Sequence, residues 1–137
     1  ISQLLAELIE RGRLELRRPL DKKVTYHDPC YLGRHNGIYD PPREVLKKLP
    51  GLELSEMADC REDSLCCGGG GGRIWMDTAK GERFADLRLA QARETGAEVL
   101  VTSCPYCLSN FEEARLALSD DDPLVVRDIT ELVHGAL

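Results

Sequence analysis

The ten residues EVLVTSCPYC, 98–107, decide the fold. Their first half, EVLVT (98–102), is β-branched and apolar, which predicts a strand covered on both faces. The strand stops at Ser103-Cys104-Pro105, and a helix is predicted from residue 106 to residue 118. A cysteine thus stands directly after a buried strand and opens a C-x-x-C pair. The thiolates of Cys104 and Cys107 can face one metal or form a redox disulfide.

The same arrangement recurs upstream. KVTYH (23–27) is a predicted strand that ends at Asp28-Pro29, so Cys30 also follows a strand end. Before it come a helix over 1–10, with Leu4, Leu5, Leu8 and Ile9 on one stripe, and an exposed connector, LELRRPLDKK. Ser2 is a candidate cap for this helix and Gly12 its stop. Pro41 and Pro42 open a short helix, REVLKKL, closed by Pro50-Gly51. LELSEM (52–57) is a further strand, leading to a loop that carries Cys60, Cys66 and Cys67. Asp77 or Thr78 caps a predicted long helix reaching Thr95. Phe84, Leu87 and Gln91, flanked by Ala85, Leu89 and Ala92, form its apolar stripe, and Gly96 closes it. Gly81 weakens its first turn. A polar turn over 119–122, a strand LVV (124–126) and a helix over 129–137 complete the chain.

This alternation predicts an α/β fold with a mainly parallel sheet flanked by helices. The cysteines would gather at the carboxyl ends of the strands, where open parallel sheets place their sites. At 137 residues the chain is expected to be one domain. It divides into an N-terminal helix and connector (1–22), a core that carries the site (23–110) and a C-terminal helix–strand–helix (111–137). With Ile1 rather than Met in first place, it is expected to be a piece of a larger protein.

Composition narrows the function. The formal charge of −6 argues against a nucleic-acid groove, and no apolar run is long enough for a membrane span. Residues 1–27 carry six basic and four acidic groups, whereas 112–137 carry two basic and seven acidic, a pattern of solvated faces. No Ser/His/Asp arrangement or carboxylate pair motivates hydrolysis.

The chemistry lies in the six cysteines. Adjacent Cys66 and Cys67 are awkwardly placed to bridge each other, and a domain of this size folds without staples. Soft thiolates favour zinc or iron–sulfur. Five together exceed a tetrahedral zinc site by one and suit a cluster with more than the usual four thiolates. The spacing leaves zinc and iron–sulfur both open. The glycine run that starts at Gly68 and Gly69 fits crowding beside a bulky inorganic core, and positive φ lets successive N–H groups turn toward sulfur. Its ending, Gly72-Arg73-Ile74, lacks the G-K-[ST] of a phosphate loop. Around the ligand candidates, His27 and His35 are either ordinary surface or supporting histidines or groups placed to donate a hydrogen bond to sulfur or pass protons. Arg73 is placed to offset negative charge or meet an anionic substrate, and Cys60 is a neighbouring thiol or a core residue. Tyr31 and Tyr106 are expected to shield the site, and Trp75 to sit in the core or cover the glycine loop. His134 is a structural or exposed residue of the last helix.

The phrases YHDPCYLGR, CCGGGGG and VTSCPYC resemble the cysteine-rich CCG domain family, known from the B-type and D-type components of heterodisulfide reductases and from related iron–sulfur oxidoreductases. The family pattern is a cysteine, a gap, C-C-G, a second gap and C-x-x-C. Here 35 residues separate Cys30 from Cys66 and 36 separate Cys67 from Cys104. The resemblance covers residues 24–110 and points to the C-terminal CCG domain of a D-type heterodisulfide reductase-like protein. It implies an iron–sulfur cluster, of noncubane 4Fe–4S type in heterodisulfide reductases, held by Cys30, Cys66, Cys67, Cys104 and Cys107. In an aerobically prepared sample such an exposed cluster is expected to be lost or replaced by zinc. In those enzymes a disulfide is cleaved between two such clusters, one sulfur going to each. The resemblance also implies a thiol or disulfide substrate, and as partners a second CCG domain and ferredoxin-like, flavin-linked or haem-linked redox subunits. The expected location is cytoplasmic, with attachment to a membrane complex through those partners. A non-catalytic electron-transfer module of a quinone- or flavin-linked dehydrogenase and a structural zinc domain are the alternative readings.

Overall fold

Val99–Thr102 (β3) runs beside Lys22–Tyr26 (β1) on one edge and Val125–Asp128 (β4) on the other, and Leu52–Leu54 (β2) pairs with the far edge of β1. All three pairings are parallel, in the order β2-β1-β3-β4. This is the structure in a computed structural model, which describes residues 1–79, 81–118 and 122–137. The strand order turns back between β1 and β3, so the crevice beyond their carboxyl ends is the switch point at which such sheets carry ligands.

Period-2 alternation sorts the side chains to the two faces. Val24, Tyr26, Val99 and Val101 pack under Ser2–Glu10 (α1), Asp40–Lys48 (α2) and Ile129–Ala136 (α5), with Leu5, Val45, Leu46 and Val133 completing that core. On the other face Leu100 and Val126 meet Phe84–Glu94 (α3) and Pro105–Leu118 (α4) through Ala85, Leu89, Ala92, Phe111 and Ala114. Both layers follow from parallel strands joined by crossover helices. Phe111 is wholly enclosed, so its truncation to Ala would cost about 3–5 kcal/mol. Pro105 opens α4, and a capping box of Asp128 and Glu131 opens α5. No described helix is long and apolar enough to cross a membrane.

Several local expectations need correction. The long helix begins at Phe84 instead of residue 77 or 78. Gly81 stands at φ 86°, and the Asp86 carboxylate accepts its N–H at 2.8 Å, which holds the preceding chain out of the helix. The buried face of α3 is Ala85, Asp86, Arg88, Leu89 and Ala92, while Leu87 is exposed. LELSEM keeps strand pairing only over Leu52–Leu54, although the Ser55 N–H still donates to Val24. Ser2 is the first helical residue rather than the cap, which is Ile1. Trp75, in a short 3₁₀ turn Arg73–Trp75, is 87% exposed and lies outside the core, on the cleft that Cys67 and Gly68 also line. His134 is exposed on α5. Most of the expected 119–122 turn lies outside the described residues.

Candidate metal centre

Three chain segments meet at the switch point. The first leaves β1 through His27, Asp28 and Pro29 to Cys30. The second is the loop of Cys66 and Cys67 with its glycines. The third leaves β3 through Ser103 to Cys104 and enters α4, whose first turn carries Cys107. The Cys107 thiol donates to the Cys67 sulfur at 3.3 Å, both residues being buried. Cys66 and Cys104 pack against this buried pair. Cys30 and Cys66 line one small crevice together with Asp28, Arg34, Arg61 and Ser64.

The backbone is arranged around the sulfurs. Gly68 N–H donates to Cys66 Sγ and Gly69 N–H to Cys67 Sγ, each at 3.4 Å. Only a residue tolerant of left-handed φ fits at Gly68, which has φ 82° and where a Cβ would lie 2.9 Å from the Phe84 Cβ. The protein crowding at this glycine therefore comes from Phe84. Among the described residues, a Cβ at Gly70, Gly71 or Gly72 would meet no atom within 4 Å. Asn110, one turn beyond Cys107, donates from its amide to the Cys67 carbonyl and ties the glycine loop to α4.

Electrostatics follow from this packing. Hydrogen bonds from the thiols of Cys107 and Cys66 outweigh burial and hold Cys67 far below an ordinary thiol pKa. Cys107 is pushed up by its bonds to Cys104 and Cys67, and Cys66 by its bond to Cys67 and by burial. Cys104 is lowered to about 6, chiefly by the Cys107 thiol and further by the N–H groups of Cys107 and Tyr106 at the start of α4. Burial, with a contribution from Arg88, lowers the pKa of His27.

Beneath Cys30 lies a buried ion pair. Arg43 donates to both oxygens of Asp28, at 2.7 and 2.9 Å, and also to Glu56 at 2.6 and 2.9 Å. The Arg61 N–H donates to the same Asp28 carboxylate at 2.8 Å. Burial disfavours that carboxylate, but these bonds prevail and keep its pKa below the usual value. The chain leaving β1 toward Cys30 is thereby fixed to α2 and to the loop after β2.

The other expected residues divide. His27 is fully buried, and one of its ring nitrogens lies with the sulfurs of Cys67 and Cys107 in a group whose atoms are all within 4.8 Å of one another. His35 is exposed and tilts against Tyr31, with ring centroids 5.1 Å apart. Cys60 sits in the Asp28–Arg43 region, where burial and Glu56 raise its pKa. Tyr31 and Tyr106 are both exposed. Arg73 stacks over Phe84 at 4.7 Å in a polar cleft of about 320 Å³ that Cys67 and Gly68 also line. A cavity of about 1040 Å³ opens at the amino ends of the strands, among Leu20, Leu52, Val99 and Leu124, and is lined by no cysteine.

Sequence reasoning missed Arg88 and Asn110. Arg88 is wholly buried in α3, three residues after Ala85 and four before Ala92. That placement within a small-residue face was the available signal. The donor set of this centre is thiolate with one imidazole nearby. Two glycine N–H groups already serve the sulfurs, which suits a soft metal group carrying negative charge.

A family model described as "CCG: Cysteine-rich domain" matches residues 24–112. A probable iron-sulfur-binding oxidoreductase, FadF, of Bacillus subtilis strain 168 is 42% identical over 96% of this chain and 19% of its own length. The D-type component of the dihydromethanophenazine:CoB--CoM heterodisulfide reductase of Methanosarcina barkeri is 42% identical over all of this chain and 33% of its own. The EtfAB:quinone oxidoreductase of Syntrophomonas wolfei is 38% identical over 99% of this chain and 20% of its own. The chain thus spans between a fifth and a third of the length of these relatives.

Proposed function

As the chain belongs to the CCG cysteine-rich domain family, we propose that Cys30, Cys66, Cys67, Cys104 and Cys107 hold an iron–sulfur cluster, and that the domain is part of a heterodisulfide reductase-like oxidoreductase exchanging electrons with a disulfide or thiol. The observation that carries this reading is the meeting of Cys67 and Cys107 sulfurs at 3.3 Å from loops that follow different strands. Names of relatives, an iron-sulfur-binding oxidoreductase and a component of a heterodisulfide reductase, support the cofactor and the reaction class.

When bound, the cluster supplies one-electron transfer and iron sites with affinity for substrate sulfur. The chain's own residues prepare its surroundings. Gly68 and Gly69 N–H groups stabilise negative charge on Cys66 and Cys67. Arg73 adds a cation at the cleft that Cys67 borders, suited to an anionic substrate. The α4 N-terminus, through the Tyr106 and Cys107 N–H groups, favours Cys104 as thiolate. In the overall reaction a disulfide takes up two electrons and two protons and becomes two thiols. The electrons come from redox partners of ferredoxin-like, flavin-linked or haem-linked type, with a second CCG domain completing the substrate site. The cluster is of noncubane 4Fe–4S type, it is lost or replaced by zinc in aerobically prepared protein, and the location is cytoplasmic, with attachment to a membrane complex through the partners.

The test is EPR of the anaerobically prepared, oxidised protein, titrated with a small thiol. The signal is expected to change as thiol binds. A cluster whose redox titration ignores thiol selects a second reading, an electron-transfer module of a quinone- or flavin-linked complex, which the Syntrophomonas relative favours. Stoichiometric zinc with no iron in anaerobically made protein would select a structural zinc domain.

A further inference from the structure

The wholly buried Arg88 has no carboxylate at hydrogen-bond distance among the described residues. It spends its donors on neutral acceptors. Nε–H donates to His27 Nδ1 at 3.2 Å, one terminal nitrogen to the Asp59 carbonyl at 2.7 Å and the Gln91 amide oxygen at 2.6 Å, and the other to Ser64 Oγ at 3.1 Å. Burying a guanidinium with no directly bonded carboxylate is costly, even with Asp28 and Asp59 acting on its charge from further off. A general packing role would be met by an apolar side chain at lower cost.

The contact to His27 fixes more than position. A guanidinium can only donate, so the Nδ1 that faces it must present its lone pair. A neutral imidazole with a bare Nδ1 carries its proton on Nε2. That Nε2 is buried and has no hydrogen-bond partner, sulfur included, among the described residues. Since Arg88 occupies Nδ1, Nε2 remains for the sulfurs of Cys67 and Cys107, with which His27 forms the compact buried group. The edge-to-face contact with Phe111, at 4.8 Å, holds the ring plane from the side of α4.

We infer that Arg88 is a positioning residue that locks His27 in the Nε2–H tautomer and so aims one N–H at the Cys67–Cys107 sulfur pair. This rests on the proposed iron–sulfur reading for its redox consequence, but the tautomer belongs to the chain itself. A hydrogen bond to a ligand sulfur stabilises the more negative, reduced cluster and raises its potential. His27 acts as the donor and Arg88 acts through it.

The experiment has two arms on the full chain. In the first, nitrogen-15 NMR of the metal-free protein under reducing, anaerobic conditions reads the His27 ring. The expected pattern is a bare Nδ1 and a protonated Nε2. Arg88→Lys, which keeps a donor at that reach, is expected to preserve the pattern, and Arg88→Met to give a mixture of tautomers. A proton on Nδ1 in the wild type, or a pattern unchanged in Arg88→Met, overturns the assignment. In the second arm the midpoint potential of the reconstituted cluster is measured. His27→Leu removes the donor without touching the guanidinium. It is expected to disfavour reduction about tenfold, a fall of about 59 mV for a one-electron couple. His27→Gln, with an amide N–H in place of Nε2–H, is expected to recover part of that shift. An unchanged potential in His27→Leu overturns the proposed role. A chain that takes up no iron or sulfide overturns the cluster reading instead, and the NMR arm then decides the Arg88 assignment by itself.

Discussion

Cys67 and Cys107 stand forty positions apart in the chain, yet their sulfurs are separated by 3.3 Å. One belongs to the glycine loop and the other to the first turn of α4. No local rule links them. What brings them together is the parallel sheet, in which β2 and β3 lie on either side of β1 and send the chain that follows their carboxyl ends to one crevice.

That crevice tunes individual thiols. Cys104, lowered to about 6, has the Cys107 thiol and the α4 N–H groups to stabilise its thiolate. In metal-free protein its alkylation by iodoacetamide should rise through pH 6 and be nearly complete in rate by pH 8. At pH 7 about ten thiolates then stand for each thiol. The Cys66 thiol, with its raised pKa, should lag well behind. Mass-spectrometric mapping of modified peptides against pH checks this, and a Cys104 midpoint near an ordinary value of about 8.5 would contradict it.

The glycine run should be unequal under substitution. Gly68→Ala places a Cβ 2.9 Å from Phe84 at a φ of 82°, and should cost about 1–2 kcal/mol or more. Gly70→Ala meets nothing within 4 Å among the described residues and has an ordinary φ, so its effect should stay within about 0.5 kcal/mol. Urea unfolding of the two metal-free variants gives the comparison.

The buried Arg43–Asp28 pair, with side chains each 3% exposed, fixes the exit of β1. Arg43→Leu leaves the Asp28 carboxylate with one backbone N–H, and is expected to cost about 3–5 kcal/mol. The double variant Asp28→Asn, Arg43→Leu should recover part of that loss, because no buried charge is stranded. Equal urea midpoints for the wild type and Arg43→Leu would contradict the assignment.

Sequence reading reached the parallel α/β fold because the strand candidates near Val24 and Leu100 are β-branched runs ended by proline or cysteine. It also reached the cysteines that the fold collects, since each follows a strand end or lies in the glycine loop. It failed on α3, where Arg88 and Asp86 point inward and Leu87 outward. Hydrophobic periodicity counts an arginine as surface and cannot see a buried acceptor such as His27 Nδ1 sixty-one positions away. Trp75 was misplaced for the converse reason. A large apolar side chain suggests burial, yet this one stands 87% exposed.

The central claim is tested most directly by iron and sulfide content after anaerobic reconstitution of the wild type, Cys60→Ser and the Cys→Ser variants at positions 30, 66, 67, 104 and 107. The account predicts a full complement of iron and sulfide in the wild type and in Cys60→Ser, and loss in the Cys67 and Cys107 variants first. A wild type without sulfide-bound iron, or Cys67→Ser and Cys107→Ser that load as fully as the wild type, would contradict it.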